Sequence, residues 1–270
     1  MEQEKQMWLR IGAAVSYIAM VAVNGLANGL PLNNRTTGQI SDAYANLFAP
    51  AGFTFSIWGL IYALLAVYVI FQFIPKKYSR LESELFSKIN PYFIISSVLN
   101  LAWIFAWHYD YIGLSLILML GLLVTLMKLG MMLAKEKLAP RDNFIQRLPF
   151  SVYWGWITVA TIANVSVFLV SLNWNGFGLS EQLWLVVALF LGTVIGIYRL
   201  RQSRDIPYSM VFIWAYLGIF VKHAHPLGYN GEYSYGISAL VVCIALIISE
   251  QIKVIQAPSS TWEKLKEKFD

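Results

Sequence analysis

The fold class of this chain follows from one uncharged stretch, residues 89–107, which reads INPYFIISSVLNLAWIFAW. A helix needs about 20 mostly apolar residues to cross the hydrocarbon of a bilayer, and this stretch has that length and composition. The same criterion, applied outward along the chain, predicts eight spanning helices. Their predicted bounds are residues 8–30, 51–75, 89–107, 111–134, 149–171, 182–199, 207–224 and 236–255. The predicted fold is therefore all-α, a polytopic membrane helical bundle.

The composition also indicates a protein that resides in lipid. Of the 270 residues, 58% are hydrophobic and 13% are charged, whereas soluble domains carry about 25% charged residues. The formal net charge of +5 does not indicate nucleic-acid binding, because the basic residues occur in short clusters between apolar runs. The single Cys243 provides neither an internal disulfide nor a multi-cysteine metal site. We expect a multi-pass protein of the cell membrane that contacts lipid and has no nucleic-acid partner.

The distribution of Lys and Arg predicts the orientation of the bundle. With the N-terminus inside, all of the 20 Lys and Arg residues except Arg35 and Lys222 fall on the cytoplasmic side, as the positive-inside rule requires. Both termini are therefore predicted to be cytoplasmic. The first span is predicted to be a retained helix rather than a cleaved signal peptide, because Asn24 and Asn28 give it a polar stripe. Residues 259–270 mix Lys and Glu around two aromatic rings, which predicts a cytoplasmic amphipathic tail.

The connection between the first two spans is long. Residues 31–50 begin with a polar turn, after which Ser41 and Asp42 are expected to cap a short helix that carries Tyr44, Leu47 and Phe48. Loops of this length are often functional lids, and the alternative is a solvated connector.

The predicted interior holds aromatic rings and neutral amides in place of charges. No charge lies near the middle of any span, which argues against a proton pump or an ion-coupled carrier. Residues three or four apart share a helical face. Packing and interfacial anchoring explain a single tryptophan, but an amide in lipid needs a partner on a neighbouring helix or on a ligand. Three predicted spans carry aromatic or amide side chains on one helical face, and these faces together would form a small-molecule site. They are Trp58 with Tyr62, Asn100 with Trp103 and Trp107, and Trp156 with Ala160 and Asn164.

The histidines are a weaker candidate for chemistry. His223 and His225 lie at the outer end of the seventh span, where two imidazoles could hold a metal ion, but no third ligand follows at a helical spacing. A structural role is the favoured interpretation, and no metal site is predicted. His108 lies between Trp107 and Tyr109 and is interpreted as part of the interfacial aromatic belt. No catalytic residue is assigned.

At these positions the chain resembles the tryptophan-rich sensory protein family, also called the translocator protein or peripheral benzodiazepine receptor family (TspO/MBR). Three blocks, across about residues 10–175, match the family's second, third and fifth helices. Two departures are Ala51 and Phe53, which stand where the family commonly has a second proline and a tryptophan. The blocks are Pro50-Ala-Gly-Phe53-Thr-Phe55 with Trp58 and Tyr62, Leu99-Asn100-Leu-Ala102-Trp103, and Trp156-x-x-x-Ala160-Thr161-x-x-Asn164.

The resemblance implies a domain layout and a ligand. Residues 1–175 would form the family's five-helix ligand-binding bundle, residues 176–258 an additional three-helix membrane segment, and residues 259–270 the tail. The implied ligand is a porphyrin-like or haem-like tetrapyrrole or another flat apolar molecule; no cofactor is required, and a homodimer is implied. The implied ligand-binding residues are Phe48, Pro50, Phe53, Phe55, Trp58, Tyr62, Asn100, Trp103, Trp107, Trp156, Ala160 and Asn164.

Three functions are open at this point. The favoured one is an integral membrane sensory or ligand-binding protein. The second is a transporter of a small apolar or amphipathic solute, with the last three helices completing the path. The third is an enzyme, either a light-dependent porphyrin degrader that uses Trp156, as the resemblance implies, or a membrane hydrolase that uses His223 and His225.

Overall fold

The computed structural model describes residues 2–30, 32–74 and 80–257 of the chain. Within these ranges the secondary structure is helical, without strands. The α-helices are α1 (Glu2–Gly29), α2 (Thr37–Ala43), α3 (Ile57–Phe71), α4 (Arg80–His108), α5 (Ile112–Lys135), α6 (Pro140–Asp142), α7 (Leu148–Ser171), α8 (Glu181–Ser203), α9 (Ile206–Ala224) and α10 (Ser234–Gln256). Short 3-10 turns at Leu32–Asn34, Gly52–Ser56 and Gly176–Gly178, and a π-helical turn at Asn143–Arg147, complete them.

Among the residues that the structure describes, eight helical segments are long and apolar enough to cross a membrane. They follow the order of the eight predicted spans, so the prediction of an all-α fold with eight spanning helices is confirmed. Large apolar side chains such as Val15 and Ile117 are 61% and 67% exposed, which suits a surface in contact with lipid. The chain is a multi-pass membrane protein. Its spans are Glu4–Gly29, Gly52–Phe71, Glu84–His108, Ile112–Lys135, Pro140–Ser171, Glu181–Ser203, Ile206–Ala224 and Ser234–Gln256.

The short helix of the first loop differs from the prediction. It begins at Thr37 and ends at Ala43, so it does not carry Tyr44 or the residues after it, and the prediction that Ser41 and Asp42 cap it is wrong. The reason is a capping box before the helix. Gln39 N donates to Thr36 Oγ1 at 3.3 Å, and Thr36 N donates to Gln39 Oε1 at 2.8 Å. This reciprocal pairing satisfies two backbone donors at once and starts the helix one turn earlier.

The chain forms two compact units, of which unit 1 comprises residues 1–43 and 55–157. Within it, α4 packs along α1 and α5. Four buried rings pack against one another around Tyr68. The Tyr68 ring centroid lies 4.9 Å from that of Phe150 and 5.4 Å from that of Phe93. Phe86 completes the group at 5.8 Å from Tyr68.

A closed hydrogen-bond circuit lies beside these rings. The Tyr68 hydroxyl donates to Asn90 Oδ1 at 2.7 Å, and Asn90 Nδ2 donates to Gln72 Oε1 at 2.8 Å. Gln72 Nε2 returns to the Tyr68 carbonyl at 3.3 Å. The two amides and the hydroxyl therefore satisfy one another, as buried polar groups in a stable interior do.

Unit 2 comprises residues 44–54 and 158–270. In its described part, α8, α9 and α10 pack against one another pairwise. Gly192 of α8 permits the close approach to α9, since a Cβ there would lie 2.5 Å from the Tyr216 hydroxyl. At one end of these helices Glu250 of α10 accepts from Arg201 of α8 at 2.7 Å and from Lys253 at 2.6 Å.

Residues 44–54, which we call the loop segment, lie along α9 in unit 2. The loop segment approaches the backbone of α9 closely because Gly218 has no side chain. A Cβ at this position would overlap Thr54. The Phe53 ring also meets the Trp214 ring edge-to-face, with centroids 5.7 Å apart. Four hydrogen bonds hold the segment: Ala51 N to Gly218 O at 3.0 Å, Trp214 Nε1 to Thr54 O at 2.9 Å, His223 Nε2 to Leu47 O at 2.8 Å, and the Tyr229 hydroxyl to Asn46 O at 3.3 Å.

Three predictions about the whole chain stay predictions. The cytoplasmic location of both termini and the division near residue 175 are predictions, since the compact units sort residues by contact and not by the resemblance on which that division was based. The amphipathic tail at residues 259–270 lies outside the described residues.

Candidate site: a buried aromatic cluster

Trp58 of α3 lies at the centre of a group of rings in unit 1. Its ring is stacked on Tyr62, one turn along the same helix, with centroids 5.4 Å apart and planes at 21°. It also meets Trp103 of α4 at 6.4 Å, and Tyr153 and Trp156 of α7 at 5.8 and 6.2 Å. Three helices that are distant in sequence therefore contribute rings to one place.

Two further rings extend this group. Trp107 stacks on Trp103 at 5.8 Å, one helical turn away on α4, and Phe55 meets Trp156 edge-to-face at 6.1 Å. The helical repeat explains the pairs, because residues three or four apart project from the same face. The aromatic cluster consists of Phe55, Trp58, Tyr62, Trp103, Trp107, Tyr153 and Trp156.

The tryptophans of the aromatic cluster face the interior. Trp58 is 9% exposed, Trp103 and Trp107 are each 4% exposed, and Trp156 is 3% exposed. By contrast Trp8, near the start of α1, is 66% exposed. Interfacial anchoring, which requires contact with headgroups, therefore does not account for the four cluster tryptophans.

Two asparagines define the polar side of the cluster. Asn24 of α1 donates from Nδ2 to the Met20 carbonyl at 2.9 Å and to Asn100 Oδ1 at 2.8 Å. Because a carbonyl can only accept, Met20 O sets which end of the Asn24 amide faces it. Asn24 in turn holds Asn100 with its oxygen toward α1, so that Asn100 Nδ2 points away from Asn24.

Five polar atoms of this region have no hydrogen-bond partner among the residues that the structure describes. Asn100 and the Tyr153 hydroxyl do interact with each other, but not at the distance and angle of a normal hydrogen bond. An unpaired buried donor costs about 1–3 kcal/mol, and several in one place are unusual. The five atoms are the Tyr62 hydroxyl, Asn100 Nδ2, Trp103 Nε1, the Tyr153 hydroxyl and Trp156 Nε1.

Several other buried polar groups of unit 1 are paired. Trp107, in the same cluster, donates from Nε1 to the Thr37 carbonyl at 3.2 Å. The circuit of Tyr68, Asn90 and Gln72 is closed. Unpaired atoms also occur at Thr37, His108 and Gln146, but five of them lie together where the rings of α3, α4 and α7 meet. A buried set of rings with a few convergent donors is the composition of a small-molecule site.

The remaining predicted residues lie in unit 2. Phe48 and Pro50 are buried in the loop segment, and Phe53 is 48% exposed beside Trp214. Ala160 and Asn164 follow Trp156 along α7, and Asn164 is 2% exposed. Their contact with a ligand stays a prediction that is based on the resemblance.

Sequence reasoning did not assign Tyr153 or Trp214 to any role. Tyr153 precedes Trp156 by three residues on α7, so helical spacing could have placed it on the same face. Trp214 had no such signal, because its partners in the loop segment are far away in sequence; Thr54 lies 160 positions before it.

The histidines have structural partners. His223 donates from Nε2 to the Leu47 carbonyl at 2.8 Å, and His225 Nδ1 accepts from Leu227 N at 3.1 Å. His108 is fully buried with its Nδ1 2.8 Å from the Ile104 carbonyl, so it is not at an interfacial surface as predicted. Across the described ranges no group of three His, Cys, Asp or Glu residues could hold a metal ion.

Comparison with known proteins gives one result. The family described as TSPO-like protein matches residues 9–252. No curated protein and no solved structure matches the chain. The match continues through α8, α9 and most of α10, so these helices lie within the family's pattern.

Proposed function

Because the chain belongs to the TSPO-like protein family, we propose that it is an integral membrane ligand-binding protein whose aromatic cluster receives a flat apolar ligand such as a porphyrin-like tetrapyrrole. The observation that supports this proposal most directly is the set of five unpaired polar atoms within a buried group of rings. The three sequence blocks of the resemblance contribute most of those rings. A purely structural core would be expected to pair such atoms, as the circuit at Asn90 does.

The chemistry of the site suits stacking. Each aromatic contact adds about 0.5–1.5 kcal/mol beyond the burial of apolar area, and Trp58 already touches four rings. A planar ligand that enters beside Trp58 would exchange ring–ring contacts for ring–ligand contacts at little cost. The N–H groups of Trp103 and Trp156 would then orient its polar edge.

Direct titration tests this proposal. The full chain in lipid nanodiscs is titrated with protoporphyrin while tryptophan fluorescence is recorded, with empty nanodiscs as the blank. We expect saturable quenching. In Trp58→Phe the affinity should fall about three- to tenfold, the equivalent of losing one good aromatic contact.

Trp8→Phe is the matched control, because Trp8 is exposed and lies outside the aromatic cluster. It should bind protoporphyrin like the parent protein. Trp156→Phe, which removes a different cluster tryptophan, guards against misfolding of a single variant. Non-saturable quenching in the parent protein, or equal affinities in all four proteins, would contradict the proposal.

The hydrolase alternative gains no support from the histidines, since His223 and His225 are bonded to the Leu47 carbonyl and the Leu227 amide. Transport and light-dependent porphyrin degradation stay alternatives to the proposal. Illumination of the same titrated samples checks the second of these, because loss of porphyrin absorbance that depends on light and on Trp156 would add an activity to the binding site.

A further inference from the structure

We propose that His223 makes the attachment of the loop segment to α9 sensitive to pH: the neutral ring holds residues 44–48 in place, and protonation of the ring releases them. The contacts that support this proposal all lie within unit 2. They do not involve the aromatic cluster, so the proposal is independent of the ligand-binding function.

The hydrogen-bond partner of His223 Nε2 determines which ring nitrogen carries the hydrogen. Nε2 lies 2.8 Å from the Leu47 carbonyl oxygen, and because a carbonyl can only accept, Nε2 carries the hydrogen. In the neutral imidazole Nδ1 is then an acceptor without a hydrogen. Nδ1 is buried and has no hydrogen-bond partner among the residues that the structure describes. The observed arrangement therefore suits the neutral ring.

A proton added to Nδ1 would be buried without an acceptor. The His223 side chain is fully buried, and the rings of Tyr229 and Tyr233 pack against it with centroids 4.9 and 5.7 Å away. Helix α10 covers Nδ1 itself, since a Cβ at Gly236 would lie 3.8 Å from that atom. A buried unpaired donor and a buried charge are both costly. Acid therefore favours an arrangement in which the ring reaches water.

The charges around His223 do not offset this cost. Among the charged residues that the structure describes, Lys222 acts on the ring and adds a positive charge beside it. The loop segment contains no Asp, Glu, Lys or Arg, and α10 contains none before Glu250 at its far end. The exposed carboxylates Glu181 and Glu232 act on the Tyr233 hydroxyl. The other titratable groups on these elements are Tyr44, His225, Tyr229 and Tyr235.

His223 and Tyr229 together hold the first half of the loop segment. Tyr229, whose ring packs on His223, donates from its hydroxyl to the Asn46 carbonyl at 3.3 Å, and His223 donates to the next carbonyl, that of Leu47. Movement of the protonated ring toward water disturbs both bonds. The hydrogen bonds that hold residues 51–54 involve neither side chain. Release is therefore expected in residues 44–48.

The mobility of a spin label measures this release. In a Cys243→Ala background, which removes the native thiol, Ala45→Cys is labelled with a nitroxide, because Ala45 is exposed in the loop segment. Electron paramagnetic resonance spectra of the full chain in nanodiscs are recorded from about pH 8 to about pH 5, the range in which an exposed imidazole changes charge. We expect the ratio of mobile to immobile label to rise toward acid by up to about tenfold per pH unit, the limit for one proton.

Two histidine variants provide a matched comparison. In His223→Gln the side-chain amide keeps a donor for the Leu47 carbonyl but does not titrate. Its spectrum should not change with pH. This holds for a label that is immobile throughout and for one that is mobile throughout because the amide does not reach the carbonyl. In His225→Gln, which changes an exposed histidine two residues away, the response to acid should remain that of the parent protein.

A label at Lys137→Cys, an exposed position between α5 and α6, reports any general loosening of the protein in acid. A parent spectrum that is the same at both ends of the pH range would overturn the proposal, and so would an equal response in His223→Gln. A response that is lost in His225→Gln but kept in His223→Gln would assign the titration to the wrong histidine. Equal responses at Lys137→Cys and Ala45→Cys would show general unfolding in place of local release, which also contradicts the proposal.

Discussion

At the scale of single residues, Gly218 and Asn24 show how small groups position larger ones. Gly218 lies in the interior of α9, where glycine lowers helix stability by about 1 kcal/mol relative to alanine. What it permits is the direct contact of Thr54 with the helix, together with the hydrogen bond from Ala51 N to Gly218 O at 3.0 Å. Asn24 sets the direction of Asn100 through one amide contact at 2.8 Å.

We predict that Gly218→Ala releases the loop segment from α9. The added methyl group would overlap Thr54, a clash of the kind that costs about 1–3 kcal/mol and outweighs the gain in helix propensity. Hydrogen exchange measured by mass spectrometry should show faster exchange in residues 44–54. Gly25→Ala is the control, since nothing lies within 4 Å of a Cβ there. Unchanged exchange in Gly218→Ala would contradict the prediction. If the clash is the cause, adding Thr54→Gly to Gly218→Ala should restore the protection of residues 44–54.

A second prediction concerns the asparagine pair. Asn24→Leu leaves Asn100 Oδ1 buried without its donor, so the free energy of unfolding should fall by about 1–3 kcal/mol. Asn24→Leu combined with Asn100→Leu should cost clearly less than the sum of the two single variants, because the coupling is then already lost. Denaturant titration followed by tryptophan fluorescence measures all four proteins. Strict additivity would show that the two amides do not interact.

At the scale of helices, the packing of α8 on α9 depends on small residues at the contact. Gly192 lies against Tyr216, and a Cβ at Gly196 would be 3.5 Å from the Phe212 ring. The Tyr216 hydroxyl also donates to the Leu189 carbonyl of α8 at 2.7 Å. In a bilayer, where apolar association gains little from excluding water, such close backbone approach provides much of the packing energy.

We predict that Gly192→Val separates α8 from α9 and destabilises unit 2. The valine would collide with the Tyr216 hydroxyl, which lies 2.5 Å from the position of a Cβ, and it would weaken the bond to Leu189. A loss of about 1–3 kcal/mol is expected, visible as a lower denaturation midpoint in the same titration. Gly25→Val introduces the same side chain on α1 where a Cβ meets no atoms. A similar midpoint in the two variants would argue against a steric cause.

At the scale of the whole molecule, the arrangement of charge predicts the topology. Almost all Lys and Arg fall on one predicted side of eight confirmed spans, and the ion group of Arg201, Glu250 and Lys253 belongs to that side. Because basic residues resist translocation, this side is expected to be cytoplasmic. An even number of spans then puts both termini there.

Cysteine labelling in intact cells checks this topology. In a background of Cys243→Ala, which replaces a fully buried thiol, we expect Glu232→Cys to react with an impermeant maleimide added outside. Lys137→Cys should react only after the cells are permeabilised. Both positions are exposed in the structure, so lack of access does not explain a silent residue. The reverse pattern would show that the bundle is inserted the other way.

The sequence predicted those parts of the fold that depend on composition and helical spacing. Eight spans, an all-α fold and the pairs on one helical face, such as Trp103 with Trp107, follow from apolar length and the helical repeat. The start of α2 was missed, although Thr36 and Gln39 carry the spacing of a capping box. The burial of His108 was missed because its position between two aromatic residues resembles an interfacial belt.

Taken alone, the order of residues determined that this protein resides in a membrane and which side chains share a face, since hydropathy and the helical repeat are local properties. Only the tertiary structure decided that rings from α3, α4 and α7 meet around Trp58, and that Asn24 holds Asn100 with its Nδ2 pointing away from α1. It also decided that the loop segment lies on α9, where Trp214 contacts Thr54 across 160 positions of sequence. Such contacts depend on the packing of helices that are distant along the chain, and no local pattern specifies which helices become neighbours.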